Sequence, residues 1–155
     1  MLAINLATLM KKHAHDIAAT WHRRVAQKLS PEIADAVGGG LNGLKHGVEM
    51  AAEHLKSELP EGDLKRWSHQ LGRSAHEAKL RPDQLLAFIT LGRHTTRDFI
   101  NDEEAFSSAL EIHAAAKLLQ HNAAFFDQAG LDALAALDAA SKGHAQPADA
   151  PHLFK

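Results

Sequence analysis

The sequence has no cysteine among its 155 residues, and this absence excludes several kinds of site. Disulfide bonds, zinc sites with thiolate ligands, iron–sulfur clusters and cysteine nucleophiles all require that side chain. The Gly-x-Ser-x-Gly motif of hydrolases and the P-loop of nucleotidases are missing as well. Because the acidic residues are scattered along the chain rather than grouped, we expect a protein that is not an enzyme.

Long basic runs and long apolar runs are also missing. The net charge is -2 with the histidines neutral, and nucleic-acid-binding proteins usually carry a basic face. No apolar run approaches the roughly 18 residues that span a membrane. Lys11 and Lys12 follow the first apolar stretch, whereas a signal peptide places its positive charges before it. We therefore expect a cytoplasmic protein with no nucleic-acid partner and no membrane insertion.

Aromatic residues make up only 5% of the chain, and the apolar residues that are present recur with helical spacing. This pattern predicts an all-α fold, a compact bundle of about five to six helices. The helices are expected at residues 2–29, in a short segment after Ser30, at 41–59, at 63–79, from Pro82 onward, and from about 102 towards Gly130, where the last helix either stops or bends into 131–140. Residues 1–140 would form one domain, and residues 141–155 a disordered tail.

Local signals support several of these helix boundaries. Ser30 followed by Pro31 is typical of an N-cap and the first helical position. Asn101 followed by Glu104 fits a capping box at the start of the last helix. Gly72 and Gly92 fall inside predicted helices, so we expect each to allow a close approach between helices.

The chain holds 12 histidines, and their spacing bears on metal and haem binding. No two are three or four residues apart, the spacing with which one helix chelates a metal, so we expect no metal site within a helix. Most of them, including His94, lie opposite the apolar stripe of their helix. His13 lies on the apolar face and is either a core histidine bonded to Asp16, a haem or metal ligand, or a protonation switch.

The last helix has two apolar lines. The main one consists of Ile112, Ala116, Leu119, Ala123 and Phe126. A second line of Leu118, Phe125 and Ala129 indicates either contact with another subunit or deeper burial within one chain. If it is an interface, Phe125→Asp should give a folded monomer.

Two segments, IAATWHRRV at 17–25 and WSHQLGRSAHEAKLRPDQLLAFITLGRHTTRDFI at 67–100, carry a family resemblance. With a tryptophan late in the first helix and a Leu-Gly-Arg segment before a Pro/Asp-started helix, the chain resembles the N-terminal domain of RsbR/RsbRD-type proteins, the RsbT co-antagonists of stressosome signalling. The likeness covers about residues 5–125. It implies a globin-like helical domain that dimerises and acts as a sensory input without haem. Family members typically carry a C-terminal STAS output domain. We expect none in this chain, so a separate protein partner would receive the signal.

The leading hypothesis is therefore a non-enzymatic cytoplasmic sensory or protein-interaction module, homodimeric, with a protein signalling partner and no cofactor. One alternative is a haem-binding, globin-like sensor or carrier that uses His13. A second alternative is a weak metal-binding protein that uses histidines from different helices, or the tail residues His144 and His152.

Overall fold

The computed structural model describes residues 2–102 and 109–143, with side chains for residues 5–102 and 113–143. This part of the chain forms a compact all-α bundle without β-strands, which confirms the predicted fold class. Its elements are α1 (Leu2–Lys12), α2 (Ala14–Lys28), α3 (Pro31–Ala36), a 3-10 turn (Val37–Gly39), α4 (Gly40–Leu55), α5 (Asp63–Glu77), α6 (Pro82–Asp102) and α7 (Ala109–Ser141). Glu104 of the predicted capping box and residues 144–155 of the predicted tail, including His144 and His152, lie outside the described residues.

The starts of α3 and α6 lie where local signals in the sequence predict them. The Ser30 hydroxyl accepts a hydrogen bond from the backbone N–H of Ile33 at 3.0 Å, and Pro31 occupies the first turn of α3. At the start of α6, the side-chain oxygen of Gln84 accepts from the backbone N–H of Arg81 at 2.9 Å. These side chains satisfy backbone groups that a helix end leaves unpaired.

The predicted first helix is broken at His13, which separates α1 from α2. His13 has φ -104° and ψ 18°, outside the helical region. Helical hydrogen bonds nevertheless continue across it, from the His13 N–H to the Leu9 carbonyl and from the Ile17 N–H to the His13 carbonyl, each at 2.9 Å. The break is therefore a local kink between two helices, and with α1 and α2 counted as one segment the predicted set of helices is complete.

The other differences concern helix ends. The second long helix ends at Leu55 instead of 59, because Ser57 adopts a positive φ of 59°. The helix α6 continues through Asn101 to Asp102, so the predicted N-cap at Asn101 is wrong. The helix α7 continues through Gly130 to Ser141, so the alternative in which it stops at Gly130 is wrong and the one in which it extends into 131–140 holds. Within the described residues, no helix combines the length and apolar character needed to cross a bilayer.

Trp21 of α2 lies at the centre of the core and is fully buried. Its indole N–H donates a hydrogen bond of 2.9 Å to the carbonyl of Phe88 in α6. The rings of Phe88 and Phe126 each lie 5.8 Å from the indole, centre to centre. One side chain thus joins α2, α6 and α7, and its single polar group is satisfied.

The two glycines predicted to permit close packing do so, each with a different partner. A β-carbon on Gly92 would lie 2.4 Å from the nearest atom of the Trp21 ring. A β-carbon on Gly72 would lie 2.4 Å from the carbonyl oxygen of Ala133, so this glycine lets α5 lie directly against α7. With α5 on one side and α6 on the other, α7 is the helix around which the second half of the bundle is organised.

Candidate functional site

His13, the candidate haem or metal ligand, lies at the edge of the core. Its side chain is 41% exposed, and Nδ1 lies 3.8 Å from a carboxylate oxygen of Asp16. The imidazole also contacts the ring of Phe99, with 5.9 Å between ring centres. The prediction that His13 belongs to the buried apolar face is therefore wrong, because the kink between α1 and α2 places it at the rim of a cleft.

The cleft beside His13 is small and is lined by apolar as well as charged side chains. It has a volume of about 240 Å³ and lies between α2 and α6, where Asp16, Asp98 and Asp102 line it. Arg24 spans it, donating to the Thr95 hydroxyl at 3.0 Å and pairing with Asp98 at 3.0 Å. Ligand pockets usually have volumes of about 300–1,000 Å³, and this cleft is smaller. This cleft is a poor fit for haem, whose large apolar ring would meet carboxylates.

The predicted interface residues Leu118, Phe125 and Ala129 are all buried within the single chain. Phe125 is stacked on Trp67 of α5, with 6.5 Å between ring centres, and meets Phe126 edge to face at 5.0 Å. On the line expected to form the main stripe, by contrast, Ala116 is exposed and Leu119 is only half-buried. The second line is thus buried within one chain, which was the alternative expectation, and its assignment to a subunit interface is wrong. Phe126 of the main line is buried as well.

An apolar groove runs between α6 and α7 on the outside of the bundle, and we call it the α6–α7 groove. Its volume is about 290 Å³. The α6 wall is formed by Leu86, Ile89, Thr90 and Arg93, and the α7 wall by Phe126, Asp127, Gly130, Leu131 and Leu134. Leu86 is 48% exposed and Leu131 is 65% exposed, and they are the large hydrophobic side chains left exposed in the described part of the chain. The sequence analysis did not single out either residue.

The groove carries one charge of each sign. Arg93 of α6 donates to Asp127 of α7 at 3.2 Å, and both side chains are partly exposed. Leu134 also lines a neighbouring depression of about 330 Å³ formed by α7 and the connection between α5 and α6, where Lys79 and Asp138 again provide one charge of each sign. The exposed apolar surface therefore extends along the C-terminal half of α7, and the charged side chains beside it are one positive and one negative at each depression.

His94 is half-buried on α6, among charged side chains. Burial lowers its pKa, and the neighbouring Arg97 and Arg93 lower it further, against the opposite effect of Asp98. Burial and the two cations thus both favour the neutral form of the imidazole. Among the described residues, no group of three or more histidine, aspartate or glutamate side chains is arranged to hold a metal ion. The structure does bring together His54 of α4 and His121 of α7, a pair that spacing along one helix does not reveal.

The chain matches no known protein-family model, no characterised protein and no solved structure.

Proposed function

We propose that this protein is a non-enzymatic regulatory module that forms a homodimer through the α6–α7 groove. The observation that carries the proposal is the position of Leu86 and Leu131, both exposed and both on the same groove. Covering a leucine side chain contributes about 1.5–3 kcal/mol. Exposed apolar residues that are grouped rather than scattered are typical of interaction surfaces.

The charges around the groove favour a second copy of the chain as the occupant. A groove that binds an acidic or a basic partner usually carries charges of the opposite sign only. This groove carries both a positive charge, on Arg93, and a negative one, on Asp127. In a two-fold dimer the same patch faces itself, so Arg93 of one copy can meet Asp127 of the partner subunit. The leucines of each copy would then cover those of the other.

The lengths of the two helices suit such an arrangement. α6 has 21 residues and α7 has 33, so both extend along the bundle for several turns. Two copies of this helix pair would form a four-helix bundle at the interface, a common form of helical association. A stable interface covers about 800 Å² on each partner, an area that needs the neighbouring depression around Leu134 in addition to the groove.

The regulatory role is supported by the resemblance to RsbR-type sensor domains and by the central position of α7. The same helix packs on α4, α5 and α6 inside the chain and lines the proposed interface outside it. A ligand or partner protein that prefers one packing of α7 would shift the population of dimers with that packing. A signal could in this way pass between subunits without any chemical reaction.

The test is sedimentation velocity over a range of protein concentrations, on the wild type and on two variants of α7. Leu131→Asp places a charge in the groove and should give a folded monomer, because the leucine is exposed and its replacement leaves the core intact. Ala116→Asp, at an exposed position in the N-terminal half of α7, away from the groove and the depression, is the matched control and should remain dimeric. A wild type that is monomeric at every concentration, or a Leu131→Asp dimer as stable as the control, would overturn the proposal.

A further inference from the structure

His54 of α4 and His121 of α7 face each other across a helix–helix contact. Their ring centres lie 6.3 Å apart with an angle of 73° between the ring planes. His54 also packs on Phe125, with 5.6 Å between ring centres. His54 is half-buried, and His121 is exposed. The pair thus has one imidazole held in place by the core and one that is free to change rotamer.

This separation is close to that of two imidazoles that share one metal ion. Imidazole nitrogens bind tetrahedral zinc at about 2.0–2.1 Å, which places two ring centres on one ion about 5 Å apart. The observed 6.3 Å is longer by about 1 Å. Because His121 is exposed, a rotation of its side chain towards His54 can close this difference.

The surroundings hold the His54 imidazole in place as a ligand, since it is half-buried and packs on the ring of Phe125. Borderline cations such as Zn²⁺ prefer imidazole over the carboxylates that Mg²⁺ and Ca²⁺ select.

We propose that His54 and His121 form an open, two-imidazole site for Zn²⁺ or a similar divalent transition-metal cation. Since the described residues offer no third histidine or carboxylate grouped with the pair, water would complete the coordination, and the ion would exchange readily. The bound ion would link α4 to α7. The site is independent of the proposed homodimer, because neither histidine lines the α6–α7 groove.

The test is isothermal titration of the metal-free full chain with ZnCl₂. His54→Gln and His121→Gln should each weaken the tightest binding event about tenfold or more, since even substitutions outside the ligand shell cost about 10–100-fold in metal affinity. His46→Gln on α4 and His113→Gln on α7 are matched controls, because each replaces an exposed histidine on the same helix. These controls should bind as the wild type does.

A second measurement separates loss of the site from loss of the fold. Thermal unfolding in the presence of a chelator shows whether each variant folds without metal, and His121→Gln replaces an exposed residue and should do so. Adding ZnCl₂ should then raise the melting temperature of the wild type and of both controls, but not of the two pair variants. Binding that survives in both pair variants, or that is lost equally in the controls, would overturn the proposal and assign the ion to other histidines.

Discussion

Replacement of Gly92 by alanine tests the packing of the central tryptophan. The added β-carbon would lie 2.4, 2.6 and 2.8 Å from three atoms of the Trp21 ring, whereas carbon atoms in contact are normally about 3.5–4.0 Å apart. The indole cannot retreat into solvent, because it is fully buried. Its position is also fixed by its hydrogen bond to the Phe88 carbonyl.

The magnitude follows from two opposing effects. Overpacking of a core costs about 1–3 kcal/mol, and three contacts this short on a buried ring place Gly92→Ala near the upper end. Alanine regains about 1 kcal/mol over glycine inside a helix. We therefore expect the free energy of unfolding to fall by about 2 kcal/mol, which for a chain of this size lowers the melting temperature by about 4–8 °C.

Gly130→Ala is the control, because it makes the same substitution inside α7 where there is room. The nearest atom to its β-carbon would be Leu86 Cδ1 at 3.7 Å, an ordinary contact. This variant should gain about 0.5–1 kcal/mol from the lower flexibility of the unfolded chain. Urea unfolding of both variants and the wild type, at one protein concentration, measures whether each substitution lowers or raises the free energy of unfolding. If Gly92→Ala proves as stable as the wild type, the placement of Trp21 against Gly92 is refuted.

Two further predictions concern α7 and its contact with α4. Phe125→Asp should unfold the protein instead of giving a folded monomer, because the carboxylate would replace a ring that is 1% exposed and stacked on Trp67. Far-UV circular dichroism distinguishes the two outcomes. Retained helicity would contradict the burial of Phe125. In the folded state, burial and His121 keep the pKa of His54 below its usual value. In the unfolded chain, histidines take up protons as the pH drops below about 6.5. The free energy of unfolding should therefore fall below that pH, because the unfolded state binds more protons. Urea unfolding near pH 7.5 and pH 5.5 should show a smaller loss for His54→Gln than for the wild type, and equal losses would exclude His54 as the source.

Sequence reasoning succeeded at the start of α3, where the cause is local, although the equally local signal at Asn101 proved wrong. Ser30 and Pro31 determine the start of α3 through the cap and the first turn, and both can be read from neighbouring residues. Gly92 was expected to allow a close approach between helices, and it indeed lies against the ring of the fully buried Trp21. The sequence did not show the partner of each close approach, which is Trp21 for Gly92 and Ala133 for Gly72.

The choice between the two apolar lines of α7 could not be made from the sequence. Both lines have helical spacing, and the helices that pack on α7 determine which one is buried. Because Gly72 allows α5 to approach closely, Phe125 meets Trp67 and its line becomes the core face. The same limit applies to His54 and His121, whose proximity depends on how α4 meets α7. The regulatory role remains a prediction.

The two tryptophans give this protein a built-in pair of fluorescent reporters. The sequence contains two tryptophans and no tyrosine, so tyrosine emission does not overlap with the fluorescence of Trp21 and Trp67. Trp21 senses the junction of α2, α6 and α7, and Trp67 senses the stack that joins α5 to α7. Single Trp→Phe variants would therefore separate events in the two halves of the bundle. Unfolding, dimer formation and zinc binding could each be followed in the unlabelled protein.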